Sequence, residues 1–136
     1  MIKPIMKSEF FLRLPSEDAG PDDAATGQDL LDTLHEHERE CVGLAANMIG
    51  VRKRIICVKD GNRTLLMYNP QILEQVNAYQ TSEGCLSLAG ERPCTRYRRI
   101  KVEYLDENFV RRIKNFSGYT AEIIQHEIDH CCGIVI

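Results

Sequence analysis

The run His126-Glu127-Ile128-Asp129-His130 carries the clearest chemistry in this chain. Two histidines four residues apart project from one face of a helix, close enough for both imidazoles to bind one divalent metal ion. The glutamate between them can reach water on that metal, so the pattern points to metal-assisted hydrolysis. Two protein ligands leave the set one short of a catalytic site. Cys85, in Glu83-Gly84-Cys85-Leu86-Ser87, is the best third candidate, because the preceding Gly lets the backbone turn and aim a thiolate at a helix. Cys131 and Cys132 are nearer in sequence, the first on the apolar stripe of the same helix and the second near its end. Spacing alone does not decide among the three.

These side chains need elements to position them. From Gly118 the pattern is helical, with Ala121, Ile124, Ile128 and Cys131 on one stripe and Gly133 where a helix C-terminus often sits. An earlier helix is predicted over residues 24–40, with Leu30, Leu31, Leu34 and Cys41 at helical spacing and Thr26 and Asp29 near its start as capping residues. Between the helices the runs are of β type. Residues 54–59 and 64–68 flank Asp60-Gly61-Asn62 and read as a hairpin, and Asn69-Pro70 is expected to end the second strand. Residues 72–76, 78–82, 98–105 and 109–116 are further strand candidates, the last two joined by Asp106-Glu107-Asn108. The predicted class is α+β: antiparallel β-sheets packed around a C-terminal metal-binding helix, with an N-terminal helix, in one domain spanning residues 1–136.

Composition narrows the setting. A chain of 136 residues with 43% hydrophobic and 27% charged side chains matches ordinary globular domains and argues against disordered or collagen-like classes. The longest apolar stretch, residues 41–46, falls far short of the roughly 20 residues that span a bilayer, so no membrane partner is expected. The first residues lack a secretory pattern, which makes a cytoplasmic location the default. In that setting six cysteines predict free thiols or a metal site in place of a disulfide framework. The net charge of −3 conceals an acidic stretch over residues 1–40 and a basic one over 92–114. Arg99 and Lys101 alternate with Ile100, Val102 and Tyr104, as on the wet face of a strand, and this favours a solvated surface over a specific nucleic-acid site.

Three segments resemble, in order and separation, the motifs of the peptide deformylases, metal-dependent amidases that remove the formyl group from the N-terminal methionine of new bacterial proteins. They are Val42-Gly43-Leu44-Ala45-Ala46, Glu83-Gly84-Cys85-Leu86-Ser87 and Gln125-His126-Glu127-Ile128-Asp129-His130. The resemblance implies that Cys85, His126 and His130 hold one divalent ion, Fe(II) natively, with Zn(II), Ni(II) or Co(II) able to replace it. It implies Glu127 as general base and proton donor to the leaving amine, and the backbone N–H of Leu86 as an oxyanion donor. Arg92 would orient the site and substrate, and Gly43, Val42, Tyr119 and Ile123 would receive the substrate. N-formylmethionyl nascent peptides are the implied substrates, with a transient ribosome contact.

The chain also departs from that family. Cys41 stands where the first motif begins with Gly, and Met48 where it closes with Gln. A thioether donates no hydrogen bond, so the side-chain half of the oxyanion hole would be lost, at roughly 100- to 1000-fold in turnover. Asn47 is the neighbouring substitute donor, provided that the segment bends. Residues 132–136 make a short tail beside many relatives. The expected protein is therefore a divergent, slowed deformylase, with a non-catalytic metal- and peptide-binding relative as the alternative. A metallopeptidase of another class would need a further ligand downstream of His130, where little chain remains.

Overall fold

Residues of high β propensity between positions 43 and 117 form one antiparallel sheet in the computed structural model, which describes residues 1–136. Its strands are β1 (Gly43–Ala45), β2 (Ile55–Asp60), β3 (Arg63–Gly84), β4 (Glu91–Leu105) and β5 (Arg111–Ser117), each paired with its neighbours in chain order. The expected hairpin is present as β2 and β3, closed at the Asp60 and Arg63 pair. Three helices complete the fold: the short α1 (Glu9–Leu12), α2 (Ala24–Glu36) and α3 (Gly118–Cys131). This is the α+β class read from the sequence.

Asn69-Pro70 does not end a strand. β3 runs through it for 22 residues and pairs with β4 from Tyr68 opposite Leu105 to Gly84 opposite Glu91. The pairing slips between Tyr68 and Gln71 and again between Ile72 and Glu74. Pro70 therefore falls at a bulge, where its missing N–H breaks no ladder bond. Asn69 tolerates φ 53 there, and its side chain accepts from the Ala19 N–H at 2.7 Å and donates to the Ala19 carbonyl at 2.9 Å.

α2 ends at Glu36, short of the expected residue 40, so Cys41 lies outside its stripe while Leu30 and Leu34 are buried. Thr26 and Asp29 do not cap it; a short 3-10 turn, Pro21–Asp23, leads into the helix instead. α3 follows the expectation closely. Ala121, Ile124, Ile128 and Cys131 are buried, and the helix packs against β1, β2 and β4. Its end is closed by two hydrogen bonds, Gly133 N–H to His130 carbonyl at 3.0 Å and Ile134 N–H to Asp129 carbonyl at 2.9 Å, with Gly133 at φ 76. Val102, Ile100 and Tyr104 of β4 face the core, while Arg99 is exposed and Lys101 half-buried. No helix is long and apolar enough to cross a membrane, and all six cysteines are free thiols.

Candidate metal centre

α3 carries His126 and His130 one turn apart, and Cys85 arrives just past the end of β3. One ligand atom from each of Cys85, His126 and His130 lies within 4.8 Å of the other two. Of the three candidate thiols, this geometry gathers only Cys85 with the histidines; Cys131 is in the hydrophobic core and Cys132 is exposed. The two Nε2 atoms are 3.1 Å apart, near the about 3.3 Å between two nitrogens bound tetrahedrally at about 2.0–2.1 Å. A thiolate and two imidazoles so placed fit a borderline-soft divalent cation.

A carboxylate stands behind the first histidine. Glu83 Oε1 lies 2.7 Å from His126 Nδ1, so Nδ1–H donates to the carboxylate; without a cation, burial is outweighed by the bonds to Cys85 and Glu83, which push His126 up to about 10, and Nε2 becomes a ligand when its proton leaves. Arg96 donates to both Glu83 oxygens through Nε, at 3.1 and 3.0 Å, and again to Oε1 through Nη2 at 2.7 Å. Its Nη1 donates to Asp129 Oδ2 at 2.7 Å. Burial opposes the charge on Glu83, but the bonds from His126 and Arg96 outweigh it and hold the carboxyl well below the usual carboxylate range. His130 is depressed to about 3 by burial and by the charge of His126, so its imidazole is neutral, as a metal ligand must be.

Glu127 is 4% exposed, and its Oε1 has no hydrogen-bond partner. Burial, opposed by the charge of His126, pushes this carboxyl up to about 7, where a general base works best at neutral pH. Glu127 opens onto a cleft of about 590 Å³ that Val42, Gly43, Met48, Cys85, Leu86, Tyr119, Ile123 and His126 also line. Gly43 brings β1 against α3: a Cβ there would sit 2.7 Å from Ile123 Cγ2 and 3.0 Å from Glu127 Oε2. Ile123 is buried, whereas Val42 and Tyr119 are exposed at the cleft mouth. The Leu86 N–H makes no backbone hydrogen bond, and its carbonyl accepts from Lys7 Nζ at 2.8 Å.

The family model for polypeptide deformylase matches residues 6–136. The chain belongs to the polypeptide deformylase family. It is 52% identical to a peptide deformylase of Clostridium beijerinckii over 136 residues, covering all of both chains. A peptide deformylase of Clostridium perfringens is 38% identical over 111 residues, 79% of this chain and 74% of that one. Among solved structures, Thermotoga maritima peptide deformylase superposes with TM-score 0.90 at 28% identity, covering 99% of this chain and 95% of that one. An Acinetobacter baumannii class I type b peptide deformylase bound to Met-Ala-Ser gives 0.87 at 30% identity, covering 99% and 97%. Peptide deformylases are metal-dependent hydrolases.

One expectation for this deformylase, a donor role for Asn47, does not fit the geometry. The segment after β1 does bend, as a 3-10 turn over Ala46–Ile49, but the bend carries Asn47 away from the cleft. Asn47 is fully buried and its Nδ2 donates to the His130 carbonyl at 2.9 Å, so it braces α3 and is no substitute oxyanion donor. Met48 does line the cleft, with its sulfur accepting from the Ala45 N–H at 3.5 Å. Arg92 lies outside the cleft lining, opposite Glu83 in the ladder, with Nη2 3.8 Å from Glu9 Oε1. Sequence reasoning assigned no role to Glu83, Arg96, Asp129 or Gln125, whose side chain clasps the N–H and carbonyl of Tyr97 at 2.8 Å each. Glu83, Gln125 and Asp129 lie inside the matched motifs and were open to notice. Arg96 sits in an ordinary basic run with nothing to mark it.

Proposed function

We propose that this chain removes the formyl group from the N-terminal formyl-methionine of nascent polypeptides, using Cys85, His126 and His130 as metal ligands and Glu127 as general base. The observation that carries this reading is the convergence of those three ligand atoms within 4.8 Å beside a buried, unpartnered Glu127. It is supported by 52% identity over the whole chain to a peptide deformylase. Fe(II) is the native ion in this reading, and Zn(II), Ni(II) or Co(II) can take its place. The protein works in the cytoplasm and meets its substrates at the ribosome.

A divalent ion held by Cys85, His126 and His130 would supply Lewis acidity to the attacking water and to the formyl carbonyl. Glu127, with its carboxyl near 7, takes the proton from the attacking water and returns it to the departing amine. The unpaired Leu86 N–H donates to the developing oxyanion. Ile123, Val42 and Tyr119 supply apolar surface for the methionine side chain, and Gly43 leaves the room between β1 and Glu127. Glu83 holds His126 in the ligating tautomer.

The test is hydrolysis of formyl-Met-Ala-Ser by protein loaded with Fe(II) or Ni(II) and kept reduced. Glu127→Ala is expected to lower turnover by about 10²- to 10⁴-fold with the metal content retained. Turnover no greater than that of the free ion would sink the proposal. Met48 favours a second reading, a metal- and peptide-binding relative without useful catalysis, because it places an acceptor where a donor is wanted. Under the first reading Met48→Gln speeds a measurable reaction by up to roughly 100- to 1000-fold. Met-Ala-Ser binding without turnover in either protein supports the second.

A further inference from the structure

The loop that carries both Cys85 and the Leu86 N–H is held from outside by a single side chain. Residues 85–90 lie between β3 and β4 in no helix or strand, and none of them enters a backbone–backbone hydrogen bond. The hydrogen bonds of this loop are two: the Ser87 N–H donates to Cys85 Sγ at 3.4 Å, and Lys7 Nζ donates to the Leu86 carbonyl at 2.8 Å. Only the second comes from another part of the chain. Lys7 is presented from a fixed backbone. On one side the Met6 N–H donates to the Met48 carbonyl at 2.7 Å, and on the other Ser8 caps α1 by accepting from the Phe11 N–H at 3.2 Å. Residues 6–8 therefore tie together Met48 and Leu86, which both line the cleft, while Lys7 is not among the lining residues.

We propose that Lys7 is a positioning residue for this site, acting through the Leu86 carbonyl on the two groups that the loop supplies, the Leu86 N–H and the Cys85 sulfur. The proposal rests on the deformylase reading of the cleft. In that reading Met48 donates nothing, so the oxyanion depends on the Leu86 N–H, and a loop free to turn would present that donor for only part of the time. The ammonium on the Leu86 carbonyl fixes the loop without touching the substrate. Its second effect runs through one peptide unit. The Leu86 carbonyl and the Ser87 N–H belong to the same amide, so a cation on the oxygen polarises the N–H that points at Cys85 Sγ. A sulfur that accepts a stronger hydrogen bond gives less charge to a cation it binds, which leaves that cation the stronger Lewis acid. Lys7 is exposed and water weakens its pull, so the effect is several-fold and no larger.

The experiment uses the full chain loaded with Co(II), as wild type, Lys7→Met and Lys7→Arg, with formyl-Met-Ala-Ser as substrate. Lys7→Met is expected to lower kcat by roughly three- to tenfold with KM unchanged. It is also expected to move the charge-transfer absorption between the Cys85 sulfur and Co(II) to longer wavelength, because the sulfur then accepts a weaker hydrogen bond and holds its electrons less tightly. Lys7→Arg keeps a cation that can donate to the carbonyl, and it restores both quantities. A kcat or an absorption band unmoved in Lys7→Met overturns the proposal, as does a rise in KM alone, which would put Lys7 on the substrate. Equal losses in Lys7→Met and Lys7→Arg overturn it as well. If the wild type hydrolyses no formyl peptide, the deformylase reading fails, and the position of the band by itself then decides the role of Lys7.

Discussion

Glu83 serves two partners at once, accepting from His126 on one side and from Arg96 on the other. Arg96 in turn bridges to Asp129 on the helix that carries the two histidines, so one buried guanidinium ties the end of β3 to α3. Removing that guanidinium leaves Glu83 and Asp129 without a counterion. Arg96→Met is therefore expected to cost about 3–5 kcal/mol in unfolding free energy, read from urea midpoints. The pH dependence has a definite sign. Glu83 has a lowered folded-state pKa, so its contribution is present in full above the unfolded value near 4.5 and is lost as pH falls toward the depressed one. The stability gap between wild type and Glu83→Gln should thus be widest above about pH 4.5 and narrow below it. A gap that stays constant down to about pH 3 would contradict this pairing. None of the pairing is legible in Glu83-Gly84-Cys85 itself, because its partner Arg96 is brought within reach only by the β3–β4 ladder, where it pairs with Tyr79, four residues before Glu83.

At the scale of elements, α3 was the most legible part and β3 the least. The helix announced itself because a buried stripe at helical spacing ends at a glycine, and the closing hydrogen bonds at Gly133 are what that pattern requires. The same glycine abuts α1: a Cβ at Gly133 would lie 2.4 Å from the Arg13 carbonyl oxygen. Gly133→Ala combines left-handed backbone with that clash and is expected to destabilise by about 2 kcal/mol or more, measured as a lower thermal midpoint. If the midpoint is unchanged, the helix end is not packed as described. β3 misled because Asn-Pro normally marks a turn. Here a bulge absorbs the proline, and the bond pair between Asn69 and Ala19 stabilises the positive φ. Such tolerance depends on the segment that packs beside it, which no local pattern reveals.

For the molecule as a whole, the candidate ligands come from two places far apart in the chain, the end of β3 and α3, joined by a shared cation when one is bound. An ion that binds only the folded arrangement adds its binding free energy to stability, about 4 kcal/mol at a thousandfold excess over Kd. Chelation is accordingly expected to lower the thermal midpoint of the wild type, and to do much less to Cys85→Ser, whose site lacks the thiolate. Equal responses would place the stabilising ion elsewhere. The sequence by itself determined the α+β class, the C-terminal helix that carries His126 and His130, and the kind of chemistry those residues offer, because helical spacing and ligand type are local properties. It also brought Cys85 forward, while leaving Cys131 and Cys132 open on spacing alone. Only the tertiary structure gathered Cys85 with the histidines, set Glu83 behind His126, turned Asn47 into a brace for α3, and left Arg92 beside Glu9. Each of these depends on distances across the sheet and between layers, which are set by strand register and packing and have no counterpart in the spacing of residues along the chain.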